Sequence, residues 1–571
     1  MREWRINIVF FLLSVLLAIV AGRLVYFQII KTQEWRAMAF GQQKFMDLAQ
    51  GERGEIYFSN MSPLVINQQA DFVYAAPNEI KEKEETAKQL SLVLNLDKAE
   101  ILGKITQESN YETLKNKLSD EEALKIEELK LPGVYLKTET LRYYPLESLA
   151  SQVSGFLGGD DTGQYGLEAF YEDALRGQES YLEREKGPKG FLISGNIDLD
   201  SENSGGSSSL PDKGGDLVLT LDYHIQFQAE NVLKKAQQDI EFESAEIIVM
   251  DPNSGKILAL ATWPGFDPNN YSSVKNLDIF QNSSIQKIFE PGSVFKPITM
   301  AAALDSGKIT PQTTYFDPGS ESIGGYVISN FNKKKWPGLL TMTNVLENSI
   351  NTGAVFAQRQ ISHQDFLDYI EKFGFFEKTG VDLQGEVSSQ NKGLKKGSDV
   401  NFATASFGQG IEITSLQLVR AFSAIANGGK LMRPYLVEKI IKKDSVQTIV
   451  PKVQKSDLIS QKTASQLTAM LISVVENGYG RKTKIPGYYL AGKTGTAQVP
   501  YSSLGINQRG YSDKTIQSFI GFGPALNPQF VILVKVYNPK TSSAEESAVP
   551  LFRDMAKYII DLWQIAPDQT Q

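Results

Sequence analysis

The sequence predicts an α+β protein in which an antiparallel sheet is flanked by helices and a single membrane-crossing helix stands near the N-terminus. Three observations predict it. Glu246–Asp251 and Lys256–Thr262 are apolar runs joined by the turn residues Ser254-Gly255, the signature of a hairpin. The last extended runs, Ser518–Gly523 and Gln529–Val536, pass into a helical pattern near Val549–Gln564, so strands neighbour strands instead of alternating with helices. Finally, Ile6–Gly22 is apolar apart from Asn7 and Ser14, and Leu24–Ile30 continues in kind after Arg23.

At ~1.5 Å per residue, a helix from Ile6 to Phe27 crosses the ~30 Å hydrocarbon layer of a bilayer. The competing reading is a cleaved secretory signal with Ala18 and Ala21 before the cut, but the stretch is long and runs without a turn into a predicted helix, Arg23–Met38. Arg2 and Arg5 precede the span while Arg23, Lys31 and Arg36 follow it, so charge marks its orientation poorly. Gln42–Tyr74 alternates in short apolar runs and predicts strands. Helical spacing follows in Ile80–Leu94 and Asp120–Leu129, with Lys81–Glu85 as a solvated face. Pro132-Gly133 ends that part, and Val134–Thr138 reads as a strand. The Ser-, Gly- and Asp-rich stretch Asn196–Asp216 has almost nothing to bury and predicts a loop just before a domain boundary. Beyond it come a strand (Leu217–Thr220), a helix (Ile225–Asp239) and the hairpin described above.

Composition narrows the chemistry. Hydrophobic residues are 42% of the 571 and charged ones 22%, the balance of a folded chain. The net charge of -8 argues against nonspecific binding to nucleic acid. No cysteine is present, which excludes disulfides, thiol nucleophiles and thiolate metal sites. With only His224 and His363, a multi-histidine metal site is nearly excluded and a Ser-His-Asp triad would depend on one of the two. A catalytic base is therefore sought among lysines and carboxylates, and no cofactor or metal is expected.

Ser-x-x-Lys sets a hydroxyl and an amine one helical turn apart, where a desolvated lysine near another cation can take the hydroxyl proton. The pattern occurs at Ser272, Ser284, Ser293 and Ser389. Only Ser293 lies in Glu290-Pro-Gly-Ser-Val-Phe-Lys296-Pro297, where Pro and Gly turn a loop into the apolar helical run Ile298–Leu304. That predicts Ser293 in a first helical turn, beside free N–H groups; an ordinary N-capping serine fits the same local pattern. Ser349-Ile350-Asn351 follows the helical run Thr343–Asn348 and sets a hydroxyl beside an amide, although both residue types are common at helix ends. Gly492-Lys493-Thr494-Gly495-Thr496 combines a cation, hydroxyls and flanking glycines ahead of the extended segment Thr496–Val499, suited to an extended substrate with a carboxylate. Gly487 to Thr494 also meets the spacing of a phosphate-binding loop, which would have to open a helix.

These three motifs, in this order, resemble those of the penicillin-binding protein and serine β-lactamase superfamily. The finer resemblance, over nearly the whole chain, is to class B penicillin-binding proteins, the monofunctional transpeptidases. Arg53-Gly54-Glu55-Ile56 resembles their post-anchor motif. Arg142-Tyr143-Tyr144-Pro145, Gly155-Phe156 and Gly166-Leu167-Glu168 resemble their dimerisation-type pedestal. Gly408-Gln409-Gly410-Ile411, Ala426-Asn427-Gly428-Gly429 and Gly521-Phe522-Gly523-Pro524 resemble stretches of the catalytic domain. Phe58 departs from the Asp usual in the post-anchor motif.

The resemblance implies residues 1–30 as cytoplasmic tail and anchor, 31–215 as a non-catalytic elongated pedestal and 216–571 as a serine β-lactamase-like transpeptidase domain. It implies a peptidoglycan D,D-transpeptidase that crosslinks stem peptides in cell division or elongation and is inhibited by β-lactams. Ser293 would be the nucleophile, Lys296 its base and Ser349 the proton relay. Asn351 would orient Lys296 and the substrate amide, Lys493 would set the positive potential, and Thr494 and Thr496 would bind the terminal carboxylate, with Gly495 a further substrate-binding residue. It also implies a single-pass protein of the cytoplasmic (inner) membrane with its catalytic domain outside, and a polytopic membrane glycosyltransferase as partner. The rival readings are a D,D-carboxypeptidase or β-lactamase-type hydrolase, a β-lactam sensor, and a non-catalytic scaffold.

Overall fold

The computed structural model describes residues 3–31, 44–185 and 211–568. Two compact units result, one from Met1–Arg53 with Arg176–Gly214 and the other from Gly54–Leu175 with Gly215–Gln571. In the first, helix α1 (Glu3–Val25) runs into a five-residue π turn, and the stretch Ile6–Gln28 has mean hydropathy 2.7 with none of it buried. Among the described residues this is the one helix long and apolar enough to cross a membrane. The expected helix Arg23–Met38 falls partly outside the described residues, as does most of the loop Asn196–Asp216. The same unit holds an antiparallel ribbon of β1 (Lys44–Gln50), which pairs with a strand at Glu179–Glu185.

The second unit begins with β2 (Ile56–Tyr57), β3 (Pro63–Ala75), helices α2 (Lys83–Leu94) and α3 (Lys98–Ile105), β4 (Glu112–Lys115), α4 (Asp120–Leu129) and β5 (Val134–Tyr143). Helix α4 starts where its sequence says it should. Ser119 Oγ accepts the N–H of Glu122, and the Glu122 carboxylate accepts the N–H of Ser119, a reciprocal cap of two otherwise orphaned donors. The three helices bury Leu90, Leu94, Ile101, Ile105 and Ile126 against Val73, Ala75 and Leu114 of the strands.

With the Glu179–Glu185 strand counted as β6, the chain continues through β7 (Asp216–Leu219), α5 (Tyr223–Ile240) and the hairpin β8 (Ser244–Met250) and β9 (Ile257–Trp263). There follow α6 (Lys296–Asp305), hairpin strands β10 (Ser320–Ile323) and β11 (Tyr326–Ser329), and helices α7 (Met342–Glu347), α8 (Asn351–Arg359) and α9 (Ser415–Ala426). Strands β12 (Val437–Lys442) and β13 (Ser445–Thr448), helix α10 (Gln461–Asn477), strands β14 (Ala491–Pro500), β15 (Tyr511–Gly523) and β16 (Phe530–Tyr537), and helix α11 (Ala548–Leu562) complete it.

The central sheet has the order β9-β8-β16-β15-β14, every pair antiparallel, which puts β14 at an edge. Strand periodicity divides its side chains between two cores. On β16, Phe530, Ile532 and Val534 join α5 and α11 on one face, whereas Val531 and Leu533 join the core containing α6 and α9 on the other. Truncating such a fully buried leucine to alanine costs about 2–5 kcal/mol. A second sheet, β13-β12-β7-β2-β3-β4, with β5 also on β3, inserts the short β2 in parallel beside β7. Residues 54–175 therefore pack as one body with 215–571, and compactness divides the chain elsewhere than at the 215/216 boundary read from the sequence. Two of the N-terminal motifs meet there: the Arg142 guanidinium donates to the Glu168 carboxylate at 2.7 Å and to Asn67 at 2.9 Å, with Arg142 and Glu168 buried.

Candidate active site

Three segments converge on Ser293. Gly292–Phe295 forms one 3-10 turn that feeds α6, so Ser293 opens the helix and Lys296 lies one turn on, as its spacing requires. Gly292 has φ +60, a conformation that suits glycine, and a Cβ there would sit 2.9 Å from that of Ala497 on β14. Gly495 is the reciprocal approach. A Cβ on it would meet Ser518 Oγ at 2.7 Å and Val294 Cγ1 at 2.9 Å, so the edge strand lies directly on the nucleophile's turn.

Ser349 is delivered by a helix end. Helix α7 stops with Ile350 N–H donating to Val345 O at 2.9 Å and Ser349 N–H to Leu346 O at 3.2 Å, the paired bonds of a Schellman stop. That motif needs a left-handed residue at its C′ position. Ser349 takes it with φ +51 where glycine is usual, a cost of order 1–3 kcal/mol that suits a functional position.

The polar atoms then form a continuous chain. Lys296 Nζ lies 3.0 Å from Ser293 Oγ and 3.1 Å from Ser349 Oγ, and it donates to Ser349 O at 2.5 Å. Lys493 Nζ lies 2.9 Å from Ser349 Oγ, 3.0 Å from Thr494 O and 3.3 Å from Thr494 Oγ1. Both lysine side chains are fully buried, whereas Ser293 and Thr496 keep partial exposure. Burial pushes the Lys493 ammonium down to about 7. Lys296 falls well below the usual lysine range, first through burial and then through repulsion from Lys493. Burial and the neighbouring Lys493 thus disfavour the ammonium form of Lys296, whose Nζ stands within hydrogen-bond distance of the Ser293 hydroxyl. Such an arrangement can activate a serine nucleophile without a histidine. His363 lies instead against Phe402, and His224 sits at the exposed start of α5.

The match to the family model of the penicillin binding protein transpeptidase domain spans residues 245–557, and that to the penicillin-binding protein dimerisation domain spans residues 48–206. The chain belongs to the class B penicillin-binding proteins. It is 34% identical over 529 residues to stage V sporulation protein D of Bacillus subtilis, covering 91% of this chain and 80% of that one. It is 30% identical over 578 residues to the probable peptidoglycan D,D-transpeptidase PbpC of Pseudomonas aeruginosa, covering 100% and 97%. Among solved structures it resembles penicillin binding protein 3 of Mycobacterium tuberculosis complexed with aztreonam, with TM-score 0.69, 25% identity and 92% and 98% of the two chains covered.

In this class B penicillin-binding protein, Ser293, Lys296, Ser349, Lys493 and Thr494 are joined by hydrogen-bond distances, and Gly495 and Thr496 follow on the same strand. Asn351 opens α8, two residues after Ser349. Its side-chain amide nitrogen donates to Ser329 O at 2.9 Å, which ties it to β11. The lysine motif lies inside β14, whose strand continues to Pro500, so no helix follows it as a phosphate-binding loop requires. Two groups at the site escaped the sequence reading. The Glu290 carboxylate accepts the N–H of Gly410 at 3.0 Å and the Tyr511 hydroxyl at 2.9 Å, tying the nucleophile's turn to two separate segments. Burial raises it above the usual carboxylate range. Asn330 braces the start of α8 from 21 residues away. Only Glu290 carried any signal, its place in the Ser293 motif.

Proposed function

We propose that this protein is a peptidoglycan D,D-transpeptidase that works through an acyl-enzyme on Ser293. The observation that carries this is the unbroken path Ser293 Oγ, Lys296 Nζ, Ser349 Oγ, Lys493 Nζ, with Lys296 held below the usual lysine range by burial and by Lys493. Lys296 accepts the Ser293 proton as Oγ attacks the carbonyl of the penultimate D-alanine of a stem peptide. Ser349 passes a proton to the departing D-alanine, and Lys493 holds the positive potential beside it. Backbone N–H groups of Ser293 and Thr496 stabilise the oxyanion, a feature worth about 3–4 kcal/mol per donor. Thr494 and Thr496 bind the terminal carboxylate, Gly495 lets the peptide lie close, and Asn351 faces the substrate amide with its side-chain oxygen. An amine from a neighbouring stem then takes the acyl group and frees Ser293.

The edge position of β14 supports an extended substrate, since a peptide can add to it as a further strand. A β-lactam enters as a mimic of the D-Ala-D-Ala end. In this scheme α1 anchors the protein in the cytoplasmic membrane with the catalytic part outside, residues 31–215 serve as pedestal and 216–571 carry the chemistry. A polytopic membrane glycosyltransferase that makes the glycan strands is the partner, met through anchor and pedestal. The test is intact mass after benzylpenicillin: a slowly released adduct on Ser293, absent in Ser293→Ala. Rapid turnover would make the protein a hydrolase, and an unmodified parent would overturn the scheme.

A further inference from the structure

Ser349 lies between two helix ends. The end of α7 is fixed by its own Schellman bonds, but the start of α8 has no cap of its own: Ile350 occupies the N-cap position and makes no side-chain cap bond. The first donors of α8 are satisfied from elsewhere. Asn330 Oδ1 accepts the N–H of Asn351 at 3.0 Å and of Thr352 at 3.1 Å, the work an N-cap side chain normally does within its own segment. The Asn330 amide nitrogen donates to both oxygens of Asp317, at 2.9 and 3.0 Å, and to Lys334 O at 3.0 Å. Asp317 also accepts the Thr352 hydroxyl at 2.7 Å, Gly319 N–H at 2.9 Å and Trp336 N–H at 2.8 Å. Asp317, Asn330 and Thr352 are all buried. Burial opposes the Asp317 charge, but these hydrogen bonds outweigh it and hold the carboxyl below its usual range. The negative charge consequently stands near the positive end of α8.

Asn330 is turned only one way by this network. Its nitrogen faces a carboxylate and its oxygen faces two N–H groups, so a flipped amide would oppose donors to donors. Ser329, the residue before it, accepts the Asn351 side-chain amide at 2.9 Å, which adds a second tie across the same boundary. We propose that Asn330, oriented by Asp317, is a positioning residue for catalysis that caps α8 in trans and thereby holds Ser349 between Lys296 and Lys493. The proposal rests on the Ser293 acyl-enzyme reading. Its physical basis is that Ser349 Oγ contacts the two amines at 3.1 and 2.9 Å, distances that a shift of the α8 start would break. A misplacement of about 1 Å can cost on the order of a hundredfold in rate.

The test uses the full-length protein in detergent, with Asn330→Ala and the near-isosteric Asp317→Asn. Acylation by benzylpenicillin is followed against pH, well below each variant's thermal midpoint, as the saturating rate and the apparent binding constant. The expected result is a saturating rate about tenfold or more lower for Asn330→Ala, an intermediate loss for Asp317→Asn, little change in binding, and a displaced acid limb. Intact mass still places the adduct on Ser293. The inference is overturned if either variant folds with a lower midpoint yet acylates at the parental rate with the parental pH profile, because the network would then serve stability alone. A parent that forms no adduct at all overturns the acyl-enzyme reading instead.

Discussion

Replacing Lys493 by methionine separates the charge of that residue from the burial that both lysines share. Both ammonium nitrogens contact Ser349 Oγ, at 3.1 and 2.9 Å, so they stand no more than 6.0 Å apart, the total of those distances. At an effective dielectric of ~20, a charge at that separation acts on Lys296 with about 2.8 kcal/mol, equivalent to about 2 pH units. Removing it should raise the Lys296 pKa by about 2 units, leaving burial as the remaining depressing cause. The free-amine fraction below the new value falls about a hundredfold, at a tenfold rate change per unit. The assay is the second-order rate of penicillin acylation against pH. The acid limb of Lys493→Met should move up by about 2 units, and that of Lys493→Arg, which keeps the charge, should stay near the parent's. If the methionine variant's limb coincides with the parent's, Lys493 does not act on Lys296 through its charge and the reasoning fails.

Two further outcomes follow from buried charges. Glu230 on α5 accepts Ala150 N–H at 2.7 Å and the Gln226 amide at 2.8 Å, and burial pushes it up to about 7 from 4.5. A carboxyl with a raised folded-state pKa binds its proton more tightly when folded. Its stabilising effect is complete below about 4.5 and lost as pH rises through about 7, so Glu230→Gln should flatten the fall in denaturation free energy across that window. Glu246 and Lys535 face each other across β8 and β16 as a buried ion pair 2.9 Å apart. Lys535→Met alone should cost about 3–5 kcal/mol in urea denaturation by stranding Glu246, and the double change Glu246→Leu/Lys535→Met should recover most of it.

Local chemistry made much of this molecule readable from its residues. Helix α4 carries its own capping box, and the predicted Asp120–Leu129 is its observed extent. Ser293 and Lys296 needed only one helical turn to meet. The difficulties arise where distant residues act on a segment. Ser349-Ile350-Asn351 looked like an ordinary helix end, and it is one; its function comes from the left-handed turn at Ser349 and from Asn330, a residue in an Asn- and Lys-rich stretch with no pattern of its own. The lysine motif read as a prelude to a strand because buried Lys493 interrupts the apolar alternation, whereas β14 already starts at Ala491. Likewise Asp513 and Lys514 conceal the first half of β15, which starts at Tyr511. The packing of residues 54–175 with 215–571 combines a two-residue strand, too short for periodicity to register, with long-range contacts such as Phe156 on Phe266, Tyr271 and Phe280.

That two-residue strand also constrains the order in which the fold can close. Strand β2 lies beside β7, and β7's other neighbour is β12, which begins at Val437. A ribosome releases Ile56 early and Val437 much later, so the sheet waits, with one margin bare, through the synthesis of most of the polypeptide. Long-range pairing of this kind is intrinsically slow and leaves strand margins open to wrong partners. Maturation of this protein should therefore be more sensitive to holding chaperones than its final stability would suggest.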